Sequence, residues 1–363
     1  MSMFRMMLLG TVAVGLTVAA MSSASAGEVE KSFGISGHVN RVMAVGDDGK
    51  DSFLLHSDNE ISRSRARFQT TAKSESLTVG ATIELSLSAG NSSSQHASGA
   101  DTFDIRHSFV SLSNNMGTIR MGDTGHAGNG HTGIDVSSTG NAEAMADTPI
   151  DGVLIHASGS TASAAGSSIV TILGSNMTQG RDSGVSYDTP EINGFGLTAS
   201  HYNVGSGGIE GRHRANYDGV QVSTSAGFVQ PGTDTTDNLV GGGIGIKLVN
   251  GLSISANYAA TNLNSTVNTT NRPDPETFYG KIGYGLSVSD TGTTGLAVSY
   301  RQTDDLTNSG DNFTAYSFLV EQSLSDYGTS IYGGVTSVSY DTTATNFDDV
   351  TAGWIGAKVV FLG

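Results

Sequence analysis

The 363-residue chain contains no cysteine, which removes disulfide staples, thiolate chemistry and cysteine-based metal sites from consideration. An exported chain of this size must then be stable on noncovalent contacts alone. Positive charge is also scarce, with 18 Lys and Arg against 34 Asp and Glu and a formal net charge of −16. That balance argues against nucleic acid as a partner, because phosphate backbones require a net basic surface. Proline is limited to 5 residues and tryptophan to 1 while glycine reaches 49, so helix formers are few. After residue 26 no stretch approaches the roughly 18 consecutive apolar residues of a membrane-spanning helix, which excludes a helical membrane protein.

What is present begins with a leader. Residues 1–26 run from Arg5 through the apolar stretch MLLGTVAVGLTVAAM to Ser23-Ala24-Ser25-Ala26, the pattern of a secretory signal peptide. Cleavage is expected after Ala26, leaving a single domain over 27–363.

Within that domain the informative signal is period 2. In residues 76–88, SLTVGATIELSLS, Leu77, Val79, Ala81, Ile83, Leu85 and Leu87 fall on one face, and the other face is small and polar apart from Glu84. This is a strand longer than the usual 5–6 residues, with one face toward an apolar medium and the other toward water. Similar segments occur at 220–229, 251–260, 278–286, 295–301 and 351–361, separated by turn sequences such as Tyr217-Asp218-Gly219 and Val249-Asn250-Gly251. The expected fold is all-β, a transmembrane antiparallel barrel of 16 strands. Short turns alternate with longer polar stretches at 89–101, 123–150, 230–238, 261–276 and 303–311, as two unlike barrel rims require. A soluble β-sandwich or solenoid shares the leader and the missing cysteine. It would need a thick core, however, and the chain is only 37% hydrophobic. Aromatics toward segment ends (Tyr187, Tyr202, Tyr217, Tyr258, Tyr279, Tyr300, Tyr340, Phe361) are candidates for interfacial girdles.

The stretches RHSFVSLSNNMGTIRMGD (106–123), YDTPEINGFGL (187–197) and WIGAKVVF (354–361) resemble, in this order, a strand pair, a hairpin and the closing strand of Gram-negative general porins. The resemblance covers essentially the whole domain. The chain departs from it where Leu362 and Gly363 follow Phe361, and in lacking a Pro-Glu-Phe-Gly motif between 123 and 150. The resemblance implies a homotrimer in the outer-membrane lipid, each barrel holding a water-filled channel for ions and small hydrophilic solutes. It also implies a third external loop that folds inward as a constriction, with wall arginines facing loop carboxylates across the pore.

On that frame, ISRSRARF (61–68) reads as a strand with Ile61, Arg63, Arg65 and Arg67 on one parity and Phe68 on the other. Arginine in hydrocarbon costs about 2–4 kcal/mol near the bilayer midplane, so the arginine face is expected in the lumen. Arg106 and Arg120, each inside a porin-like motif, join the expected basic wall. Arg41 shares parity with Phe33, Ile35 and Val39, so only a bulge would bring it inward. The acids of 123–150 supply the opposing wall, with Asp135, Glu143 and Asp147 as candidates. Glu84, Arg212, Arg214, Lys281 and Arg301 lie on polar faces and are expected to line the lumen elsewhere as a solvated wall.

Other signals are set aside. Gly128-Asn129-Gly130-His131-Thr132-Gly133 fits G-x-G-x-x-G but lacks the βαβ context, and His126 with His131 lacks the rigid spacing of a metal site. No cofactor or metal is expected, and no enzyme motif such as G-x-S-x-G occurs. The leading reading is a passive channel. An adhesin or structural anchor with a closed lumen is the alternative, and a lipid hydrolase is a third.

Overall fold

A computed structural model of the chain describes residues 28–88, 102–159, 167–169, 180–202, 205–233, 235–264, 273–289, 292–306 and 308–362. The expected leader and the polar stretch 89–101 lie outside these residues, as does part of 261–276.

Nineteen strands are described, in chain order: β1 (Glu30–Asp47), β2 (Ser52–Asp58), β3 (Arg65–Lys73), β4 (Thr78–Ser88), β5 (Thr102–Asn114), β6 (Gly117–Gly125), β7 (Leu154–Ile155), β8 (Ser167–Ser168), β9 (Arg181–Asp188), β10 (Phe195–Tyr202), β11 (Gly207–Tyr217), β12 (Val220–Gln230), β13 (Thr236–Lys247), β14 (Leu252–Leu263), β15 (Glu276–Ser289), β16 (Gly292–Asp304), β17 (Asn312–Leu324), β18 (Thr329–Asp341) and β19 (Val350–Leu362). Each wall strand pairs antiparallel with its neighbour, and β1 closes the ring on β19 from Ser36↔Leu362 to Asp47↔Thr351. The other edge of β1 pairs first with β3 and then with β2, so these two are halves of one interrupted wall strand. With β7 and β8 forming a separate small hairpin, the wall is a closed antiparallel barrel of 16 strands.

The alternation expected from sequence appears as two faces. Along β17, Tyr316, Phe318 and Val320 are exposed outward while Phe313, Ala315, Ser317, Leu319 and Glu321 are buried inward. Closure leaves no edge strand in the wall among the described residues, which is what lets strands stand in lipid. Among the expected girdle aromatics, Tyr217, Tyr258 and Phe361 are exposed on the outer face, but Tyr202, Tyr279 and Tyr340 are buried inside. Neighbouring aromatics such as Phe278 and Tyr279 point to opposite faces, so an aromatic near a strand end does not by itself mark the membrane interface.

Between β6 and β9 the described residues 126–159 run back against inward-facing wall residues. Ile150, Val153 and Ile155 of this segment share a buried cluster with Ala297, Phe313, Leu319, Tyr332 and Trp354 of β16–β19. The inner face is therefore apolar there, contrary to a uniformly wet wall. Strand β17 needs apolar residues on both faces, lipid outside and the returning segment inside.

Candidate functional site

Three arginines of the wall converge on one carboxylate. Arg67 lies directly across from Glu84 of β4, and Glu84 lies across from His107 of β5. The Arg67 Nε donates to Glu84 Oε2 at 2.6 Å, Arg106 Nε donates to Oε1 at 3.1 Å, and Arg65 Nη1 reaches Oε1 at 3.4 Å. The Glu84 side chain is 0% exposed, so it is the fixed centre of the cluster and not the solvated wall residue expected from sequence. Arg106 arrives by a bulge: Glu84 pairs with His107 but Leu85 pairs with Ile105, leaving Arg106 as the extra residue. Strict alternation back from Val110 and Ser108 would have placed it on the outer face. The bulge turns it in.

The stretch 61–68 is not one strand. Residues Glu60–Ser62 form a single 3₁₀ turn capped by the Asn59 side chain, which accepts from the Ile61 N–H at 3.1 Å, and β3 starts only at Arg65. Arg63 therefore leaves the ladder and bonds Glu60, with Nε to Oε2 at 2.5 Å. Asp58 holds the break by accepting from Ser64 N at 2.8 Å and Ser64 Oγ at 2.6 Å. Arg41 keeps the outward parity of Val39 and Met43 and pairs with Asp58 at 3.6 Å. Arg120 reaches Asp188 at 2.8 Å, and Arg212 reaches Glu191 at 3.2 Å. Arg214 lies on the same strand face as Arg212.

The loop acids do not meet these arginines as expected. Lys281 Nζ donates to Asp135 Oδ2 at 2.8 Å and to the Glu143 carbonyl at 2.8 Å. The Glu143 carboxylate accepts from Tyr279 OH at 3.0 Å and from Ser299 Oγ and Ser317 Oγ at 2.5 Å each. Arg301 Nη2 donates to the Ala144 carbonyl at 2.5 Å, with its guanidinium 5.2 Å from the Tyr279 ring centroid. Lys281 and Arg301 are thus buried anchors for the loop, because a long polar segment can lie on a wall only if its carbonyls and carboxylates find donors there. Burial alone would raise the Asp135 carboxyl, but Lys281 together with hydrogen bonds from Ser137 outweighs it and holds it below the usual range. Asp147 differs: burial pushes it up, and its charge is felt by Arg301, Arg63 and Arg106.

Sequence reasoning missed the seat itself. Inward-facing Gly241, Gly243 and Gly245 of β13 leave room for the loop: a Cβ at Gly243 would stand 2.9 Å from Ile134 Cγ1, and one at Gly245 2.8 Å from Ile134 Cγ2. The alternating glycines of VGGGIGIK were the available signal.

A closed two-faced barrel with a loop seated on its inner wall narrows the family, and a model of the Gram-negative porin family matches residues 11–343. The chain belongs to that family. It is an outer-membrane porin, a channel for small solutes. The porin's fold is shared at low identity with solved structures. An anion-selective porin from Comamonas acidovorans has a TM-score of 0.62 and 18% identity over 92% of this chain and 100% of that one. OmpT of Vibrio cholerae, in a trimer form, has a TM-score of 0.58 and 15% identity over 91% and 99%. The outer membrane channel DcaP of Acinetobacter baumannii has 0.56 and 13% over 93% and 99%. No curated protein sequence matches the porin.

In this porin His126 and His131 are rivets of the loop. His126 Nε2 donates to the Asp182 carbonyl at 2.8 Å and His131 Nδ1 to the Gly128 carbonyl at 2.9 Å. The second ring nitrogen of each is buried without a partner among the described residues, and burial lowers both rings below 6.5. A seated histidine therefore binds protons less readily than a released one. The stability of the seat is fully present above pH ~6.5 and is lost as pH falls through the lowered values. Intrinsic-rate-corrected hydrogen exchange of residues 126–136 is expected to lose protection on acidification below that pH. His126→Gln should flatten the dependence. Unchanged protection would mean that the two rings do not set the stability of the seat.

Proposed function

We propose that this porin is a passive channel that favours anions, with Arg65, Arg67 and Arg106 as the selecting wall and Arg63 and Arg120 at its margins. The observation that carries the reading is the sharing of one buried carboxylate, Glu84, by three guanidiniums. One negative charge cannot neutralise three positive ones, so that stretch of the lumen stays positive although the chain as a whole is acidic. Distant acids are screened within a Debye length of about 8 Å at physiological salt, whereas charges at the wall act on an ion in passage. Asp135 and Glu143 are engaged by wall donors, so we assign to Asp147 the part of the loop carboxylate opposite the arginines and of the source of a transverse field.

The working form is a homotrimer of residues 27–363, with the leader 1–26 removed and the short-turn rim toward the periplasm. It has no catalytic role. In a planar bilayer the purified protein should insert with conductance in steps of three and, under a salt gradient, give a zero-current potential of anion sign. The triple variant R65Q/R67Q/R106Q should move that potential toward cations, and R63Q alone should move it less, because Arg63 is held by Glu60 off the cluster. A cation-sign potential from wild-type protein would overturn the anion reading. Well-folded protein without conductance would favour an anchor, and lipid hydrolysis abolished by one serine substitution would favour an enzyme.

A further inference from the structure

The outer face of β9–β12 carries a trough of 810 Å³ whose lining includes Ile192, Phe195, Leu197, Gly211, His213 and Ala226. Its floor is a row across three strands, because Leu197 stands opposite Gly211 and Gly211 opposite Ala226. Two ridges bound the row. Toward the long-loop rim Ile209 pairs with Phe228, both exposed. Toward the short-turn rim Phe195 pairs with His213, their rings stacked at 3.9 Å between centroids and 24° between planes. The 189–194 hairpin extends this second ridge outward through Ile192, which exchanges two backbone hydrogen bonds with Phe195.

We propose that this trough holds one phospholipid of the short-turn-side leaflet, with an acyl chain along the Leu197–Gly211–Ala226 row and the phosphate at His213. The row is apolar and lies in a face that stands in the bilayer, where the abundant molecule of matching chemistry is a lipid chain. A gap left unfilled there would forfeit contact along its whole lining. The volume lies in the range of ordinary ligand pockets, about 300–1,000 Å³. The stacked Phe195–His213 pair sits one residue after the hairpin, on the short-turn side of the row, and aromatic side chains with a polar edge favour the level of the headgroups. An imidazole edge there can donate to a phosphate oxygen, which an aliphatic ridge cannot do.

The inference depends on the outer-membrane placement and not on charge selectivity. Native mass spectrometry of the full assembly, purified with palmitoyl-oleoyl phosphatidylethanolamine added back, tests it. Wild type should keep one phospholipid per barrel at activation energies that strip the remainder. Gly211→Leu and Ala226→Phe should lose it, and His213→Ala should lose it at lower energy than wild type. Folding of Gly211→Leu is expected to persist, since a Cβ at that position meets nothing nearer than Leu197 Cδ2 at 3.4 Å. Unitary conductance, recorded on the same preparations, should be unchanged and reports separately on the channel. Wild type without a retained lipid, or equal retention by Gly211→Leu and Ala226→Phe, overturns the proposal. So does a trough protected in the trimer by a neighbouring barrel.

Discussion

Glu84→Gln is expected to lower barrel stability by about 2–3 kcal/mol and to make the channel more anion-selective. Removing one partner of a buried ion pair costs about 3–5 kcal/mol when the remaining charge is sealed from water. The Arg67 side chain is 38% exposed, so solvent screening takes part of that cost away. The loss falls on Arg65, Arg67 and Arg106 together, whose mutual repulsion Glu84 now offsets. Denaturant unfolding in detergent reads the stability, and the zero-current potential under a salt gradient reads the charge. A variant that is destabilised but unaltered in selectivity would mean that the cluster holds the wall together without touching the ion path.

The second large effect is expected at the opposite wall. In Lys281→Met the Asp135 carboxylate loses its cation and the Glu143 carbonyl loses a donor, in a place where Lys281 is 1% exposed. The penalty, about 3–5 kcal/mol, acts against the seated loop and leaves the strand ladder alone. The outcome should be a larger and noisier unitary conductance with the barrel's heat resistance retained. Asp135→Asn combined with Lys281→Met should recover part of the loss, because the two side chains share one interaction. Unaltered conductance in the single variant would show that the apolar contacts of Ile150, Val153 and Ile155 hold the loop without this ion pair.

Both predictions concern partners that parity could not supply. The placement of Arg65 and Arg67 inward was readable from alternation with Ala66 and Phe68. That Glu84 would be their centre depends on the pairing register of β3 with β4, which sequence alternation leaves open by any even shift. Arg106 lies in a porin-like motif, and alternation alone sends it into lipid. Only the bulge opposite Glu84 and Leu85 accounts for its place. A 3₁₀ turn and a strand end share the same short polar composition, so sequence does not show that Arg63 leaves the ladder. Nor does sequence show that Lys281 and Arg301 are covered, because a polar residue on an inward face looks the same whether water or a loop lies over it.

The sequence by itself determined the barrel: no cysteine, no apolar run after residue 26 long enough for a helical span, and strands of a dozen residues with one apolar face. Such a pattern is local, since each strand separately records that lipid stands on one side and a polar interior on the other. Only the tertiary structure decided which charges meet. Arg65, Arg67 and Arg106 share Glu84, while Asp135 and Glu143 turn away from them to Lys281, Tyr279, Ser299 and Ser317. Those pairings span up to 174 residues of chain and depend on register, one bulge and the path of a loop, none of which has a period to read.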